Sequence, residues 1–166
     1  EAGTDKVVGE LFWDAYNLEN VALLDTMTTI GDNAFYECKS LREIKLLNKL
    51  TAIGAEAFED CTALESIDIP DTVTAIGTFA FDGCTNLSDV SLSKNLQKLG
   101  VHAFRDCKSL IEIEIPKSLE EVVSFSGSGP SGGPFCNSGL TSVTFEAGTD
   151  RVVRNLFHYA EKLENV

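Results

Sequence analysis

Basic residues are scarce in this chain: 13 lysines and arginines stand against 26 aspartates and glutamates, a formal net charge of −13. Such a surface repels phosphate backbones and anionic lipid, and no basic cluster makes a local exception, so nucleic acid is excluded as a partner. Long apolar runs are missing as well; none approaches the roughly 20 residues that a membrane span needs. The chain opens at Glu1 with no start methionine, basic n-region or apolar h-region, and is therefore expected to be processed or cut from a longer polypeptide. Closely spaced Cys or His pairs of the C-x-x-C kind, which zinc sites use, do not occur, and no cofactor is expected.

What the sequence has is a period. Ile30, Ile53, Ile76, Leu99 and Val122 stand 23 residues apart, as do Phe35, Phe58, Phe81 and Phe104, Gly31, Gly54, Gly77 and Gly100, and Leu18, Leu41, Leu64, Leu87 and Leu110. The step stretches to 30 between Leu110 and Leu140, where SFSGSGPSGGPF (124–135) inserts about seven residues, and returns to 23 at Leu163. A coarser repeat overlies it: residues 1–21 and 146–166 share 14 of 21 positions at an offset of 145. A unit of 23 residues cannot bury an apolar face by itself, so neighbouring units must stack and supply the core to each other.

Within a unit, Leu64, Ile67 and Ile69 have the spacing of a short strand in which Ile67 and Ile69 point inward and Ser66 and Asp68 outward. Pro70 and Pro116 stop such strands, because a residue without an N–H suits a strand's end and not its middle. A second extended piece, Val73 to Ile76, leads to a glycine, followed by a predicted helical turn with Ala57, Cys61 and Leu64 on one face. Seven strands about 4.8 Å apart would make a parallel sheet on the order of 30 Å long.

Cys38, Cys61, Cys84 and Cys107 fill one inward slot of four successive units, and Ala15 and Ala160 fill the same slot in the first and last. Alanine replaces a small buried hydrophobe and cannot replace a nucleophile or ligand, so the thiols are read as a buried, reduced ladder. Equivalent side chains on stacked coils run parallel, which disfavours disulfides. Cys136, beside the insertion, is expected to be the most exposed of the five.

The recurring I-G-x-x-A-F-x-x-C-x-x-L-x-x-I-x-I-P, close over residues 30–121 and loose in the flanking units, resembles the BspA-type (treponemal-type) leucine-rich repeat family. The resemblance implies an α/β repeat: one right-handed leucine-rich-repeat solenoid over 1–166, of about seven coils, with a parallel β-sheet face, short helical turns and a flexible insertion at about 124–135. It also implies a bacterial cell-surface or secreted protein used in adhesion, contacting an extracellular protein or glycan, rather than an enzyme. A structural spacer that holds an adjoining domain away from the cell is the alternative.

Two catalytic-looking patterns lie in the insertion: Gly127, Gly129 and Gly132 fit G-x-G-x-x-G, and Gly129, Ser131 and Gly133 fit G-x-S-x-G. Neither is followed by the helix that a dinucleotide loop or a nucleophile elbow requires, so a hydrolase using Ser131 is the least favoured reading. His102 and His158 fall on outward, variable slots with no orienting carboxylate apparent.

Solenoids bind through variable positions on a fixed frame. The outward rows of the strand face run Asn20, Glu43, Ser66, Asp89, Glu112, Ser142, Asn165 and Ala22, Lys45, Asp68, Ser91, Glu114, Thr144. From these, Glu43, Lys45, Asp68, Asp89, Ser91, Glu112 and Glu114 are the candidate ligand-binding residues, on a face that lacks aromatics and suits a basic or polar partner. Asp89, Glu112 and Glu114 fall close enough for a calcium ion to bridge, but the D-x-[DN]-x-[DN]-G loop is absent and they are read as solvated. A second candidate patch is aromatic: Trp13 and Tyr36 share a slot in adjacent units, with Tyr16 nearby, rings that either hold a sugar or protein side chain or, the favoured reading, cover the edge of the core. Coils cut at the ends of an array leave apolar edges, so end-to-end self-association is expected.

Overall fold

The computed structural model describes residues 6–7, 9–124 and 132–165. Ten short strands wind along the chain: β1 (Lys6–Val7), β2 (Thr29–Ile30), β3 (Ala52–Ile53), β4 (Ser66–Asp68), β5 (Ala75–Ile76), β6 (Asp89–Ser91), β7 (Lys98–Gly100), β8 (Glu112–Ile115), β9 (Glu121–Val123) and β10 (Ser142–Phe145). All pairings are parallel, with registers that advance by one coil. A parallel-strand solenoid results, with about four regular turns rather than seven equal coils.

The continuous ladder is not the one expected. Six strands hydrogen-bond in the order β1-β2-β3-β5-β7-β9, all in the extended piece that runs up to the glycine slot, which Gly100 fills at the end of β7 and Val123 at the end of β9. The L-x-x-I-x-I segments form two separate pairs, β4 with β6 and β8 with β10, and β10 adds a single parallel bridge from Ser142 to Asn165. Pairing lapses between β6 and β8, where the carboxylates of Asp89 and Glu112 would stand side by side, an arrangement that costs energy on neighbouring strands. The pre-glycine side has no such obstacle and packs more closely. A Cβ on Gly77 would lie 2.5 Å from the carbonyl carbon of Gly54, and one on Gly100 would lie 2.3 Å from that of Gly77, so only glycine lets the coils approach so far.

Among the described residues there is no helix. The segment after each glycine is a run of tandem turns, with positive φ at Glu56 (55°) and Asp60 (57°), at Asn33 (55°) and Glu37 (56°), and at His102 (59°) and Asp106 (57°). A left-handed residue every fourth position breaks the i→i−4 pattern of a helix. The backbone bonds go elsewhere: the amides of Glu56, Phe58 and Asp60 donate to the carbonyls of Thr78, Ala80 and Asp82 in the next coil, at 2.9, 2.7 and 2.8 Å. Ala57, Cys61 and Leu64 do share the inward face, all fully buried.

Two ladders fill the core. Phe12, Phe35, Phe58, Phe81, Phe104, Phe135 and Phe157 stack in one column, with ring centroids 5.1 Å apart through the regular turns and 5.5 and 5.8 Å apart at the last two steps. Each buried thiol donates to the carbonyl of a phenylalanine 26 residues earlier: Cys38 to Phe12, Cys61 to Phe35, Cys84 to Phe58 and Cys107 to Phe81, at 3.1 to 3.2 Å. All five cysteines are free. Burial pushes the Cys38 thiol up to about 11 and those of Cys61, Cys84 and Cys107 further, which keeps them protonated and unreactive.

Ser131 and most of the insertion (125–131) lie outside the described residues. Its end, Gly132 to Phe135, is buried in the coil: the Gly133 amide donates to His158 O at 2.7 Å and Pro134 O accepts from the Phe104 amide at 2.8 Å. This return path corrects the reading of His102. The histidine is only 7% exposed, packs on Phe79 at 4.9 Å between ring centres, and has Gly132 close against its Nε2. Burial, together with the Arg105 charge, lowers its pKa, and its Nδ1 makes no hydrogen bond. His158 is exposed, as expected, and lies against Tyr159.

Candidate binding surfaces on the solenoid

The expected outward rows do face solvent. Glu43, Lys45, Ser66, Asp68, Asp89, Ser91, Glu112 and Glu114 are exposed, while Ile44, Ile67, Ile69, Ile113 and Ile115 between them are buried. Strand alternation produces this directly, since successive side chains point to opposite faces.

The exposed residues surround shallow depressions. One of about 540 Å³ is lined by Asn20, Glu43, Lys45, Ser66 and Asp68. Another, of about 500 Å³, lies between Asp89, Glu112, Glu114 and Thr144. A third, of about 460 Å³, is bounded by Ser91, Lys94, Glu114 and Glu146. The candidate residues of the strand face are thus brought together in two groups, Glu43, Lys45 and Asp68 in the first and Asp89, Glu112 and Glu114 in the second, with Ser91 at the third.

Sequence reading missed the lower rim of this face. Asp71, Lys94 and Lys117 recur at the same 23-residue step, just after the strand. Asp71 Oδ1 accepts from the Lys94 amide at 2.8 Å, and Lys117 Nζ pairs with Glu146 at 3.1 Å. That contact, with the Lys117 amide as its largest contribution, holds the Glu146 carboxyl below the usual range. The signal was present in the period, but these residues follow the strand, and only the prolines Pro70 and Pro116 before them drew a reading there.

On the opposite flank, Trp13 and Tyr36 meet at 4.8 Å between ring centres, and Trp13 is 44% exposed. Tyr16 lies under Lys39, whose Nζ is 5.2 Å from the ring centre. The slot after each stacked phenylalanine continues as Glu59, Asp82 and Arg105, three residues that composition did not single out. Arg105 forks onto both carboxylate oxygens of Asp82 and covers the Phe79 ring at 5.1 Å. Half-burial, with Asp82, Glu56 and Asp60 nearby, pushes the Glu59 carboxyl up to about 7.

The model of the BspA type leucine rich repeat region matches residues 6–128 in six copies. The chain is similar in structure to a leucine rich repeat protein of T. pallidum, with a TM-score of 0.69, 29% identity, and 84% of this chain aligned to 65% of that one. It resembles a leucine rich cell surface protein from Faecalibacterium prausnitzii over 99% of its length and 57% of that protein's, at 22% identity and a TM-score of 0.60. The pneumococcal vaccine antigen PcpA aligns over 80% of this chain and 31% of its own, at 21% identity and a TM-score of 0.65. These last two likenesses bear on the fold alone. The chain spans less than two thirds of each of these proteins. No curated protein matches it.

Proposed function

Because the chain belongs to the BspA-type leucine-rich repeat family, whose repeats typically bind proteins, we propose that it is a binding module of a bacterial surface or secreted protein used in adhesion. Its strand face contacts an extracellular protein or glycan with a basic or polar surface. The observation that carries this reading is the pairing of a fixed frame, the stacked phenylalanine and thiol ladders, with variable exposed rows set around depressions. Asp89, Glu112 and Glu114 form the acidic centre, with Lys94 and Lys117 on the rim. No helix among the described residues is long and apolar enough to cross a membrane. The surface location rests on the family.

The test is the combined variant D89N/E112Q/E114Q, measured for adhesion of the parent protein to host cells and extracellular-matrix proteins. A loss of adhesion supports the strand face as the contact surface. Adhesion equal to the parent's, with the fold intact by circular dichroism, overturns it in favour of a spacer.

The end coils add a second expectation. Phe12, Leu18 and Val21 at one end and Phe157 and Leu163 at the other are only partly covered, whereas their counterparts in the regular turns are buried. End-to-end association of this chain follows from that uncovered area, and light scattering that showed a monomer at high concentration would contradict it.

A further inference from the structure

The flank away from the strand face repeats one chemical arrangement twice. Lys39 lies over the Tyr16 ring at 5.2 Å while its Nζ pairs with Glu37 at 2.8 Å. Arg105 lies over the Phe79 ring at 5.1 Å while it forks onto Asp82. In each case a cation is held between an aromatic face and a carboxylate, a combination in which the ring quadrupole and the anion attract the same charge.

A third set of the same parts stands on this flank. Trp13 and Tyr36 are in contact, and Glu59 occupies the same slot one coil further on. Among the described residues no lysine or arginine forms an ion pair with Glu59. Its charged neighbours Asp82, Glu56 and Asp60 are acidic, and the nearby cation Arg105 is already forked onto Asp82. Trp13 is open to solvent, and half-buried Glu59 lies near enough to Tyr36 for its charge to act on that phenol.

We propose that Trp13, Tyr36 and Glu59 form a receptor for an arginine side chain of a partner protein. Charge complementarity selects a cation, and the exposed ring faces of the tilted pair select a planar guanidinium, which lies flat on an aromatic face and presents a fork to a carboxylate. The surface is separate from the strand face, and either can fail without the other.

Trp13 is the chain's single tryptophan, so its emission reports this site alone. The probe is the peptide Ac-Gly-Arg-Gly-Arg-Gly-amide, compared with its citrulline counterpart, which has the same shape and no charge. The arginine peptide should change Trp13 emission saturably and the citrulline peptide should not. Glu59→Gln should weaken binding roughly tenfold, whereas Glu120→Gln, an exposed charge-matched control elsewhere, should leave it unchanged. Equal titration by both peptides, or equal behaviour of the two variants, overturns the proposal. Saturation by an uncharged oligosaccharide such as cellohexaose, with no response to the arginine peptide, also overturns it and makes the rings a sugar platform. Glu59→Gln removes a repelled charge, so loss of binding through unfolding is checked by its urea midpoint, which should not fall.

Discussion

The Cys61 thiol donates a 3.1 Å hydrogen bond to the backbone carbonyl of Phe35, 26 residues earlier in the chain and one coil away. The contact ties the thiol column to the phenylalanine column and gives a core carbonyl that already accepts from the Cys38 amide at 3.2 Å a second donor, from the neighbouring coil. Cys84→Ala should cost about 1 to 2 kcal/mol in urea unfolding, a small cavity plus one lost hydrogen bond to a carbonyl that keeps the Cys61 amide. Cost near zero would mean that the thiol only fills space, as Ala15 and Ala160 do in the end coils.

Thiol accessibility follows from the same geometry. Cys38, Cys61, Cys84 and Cys107 are fully buried and held protonated, whereas Cys136 is half-buried, with its pKa raised by partial burial. Native protein treated with a thiol reagent at pH 8 should label Cys136 first and the other four only on unfolding. Labelling of all five at one rapid rate, read by mass spectrometry, would contradict the buried ladder.

The aromatic column should dominate stability. Phe81 is fully buried between Phe58 and Phe104, so Phe81→Ala should cost about 3 to 5 kcal/mol, while Ser91→Ala on the exposed row should stay within about 0.5 kcal/mol. Urea titrations of the two variants compare them directly.

Left-handed turns make a prediction that a helical turn does not. Glu56 sits at φ 55°, a region that β-branched residues tolerate poorly. Glu56→Val should cost about 1 to 2 kcal/mol, and Glu56→Gly should cost nothing or stabilise slightly. In a helix the order of the two would reverse, because glycine would be the worse residue.

Glu59 gives stability a pH dependence. Its carboxyl titrates at about 7 in the folded chain against 4.5 ordinarily, so between those values the unfolded chain releases a proton that the native state keeps. This group's contribution therefore favours folding at low pH, declines as pH rises from 4.5 to 7, and is flat above. The carboxyl is half exposed, and screening leaves about 1 kcal/mol of the effect. Glu59→Gln should remove that slope, and a parent and variant with parallel stability curves across this window would contradict the assignment.

Much of the molecule was legible beforehand because a 23-residue period forces equivalent residues onto the same face. Phe35 through Phe104, Cys38 through Cys107 and the alternation around Ile67 could each be placed from spacing alone. His102 could not, because its slot is outward in every regular unit and becomes buried only when the insertion returns through Gly132 across it. Lys94, Lys117, Asp82 and Arg105 also obey the period, yet their partners lie one coil away, and nothing in the linear pattern says which side chains reach across.

The sequence by itself determined the repeat, the inward and outward faces and the family, because burial of a periodic apolar face has one economical solution, the stacked coil. Only the tertiary structure decided that the continuous sheet runs through Ile30, Ile53 and Ile76 and not through Ile67, Val90 and Ile113, and that the segment after each glycine is turn rather than helix. The reason is that in a solenoid each backbone amide can bond within its own coil or to the next. That choice depends on how closely the glycines let neighbouring coils approach, a distance that no single unit contains.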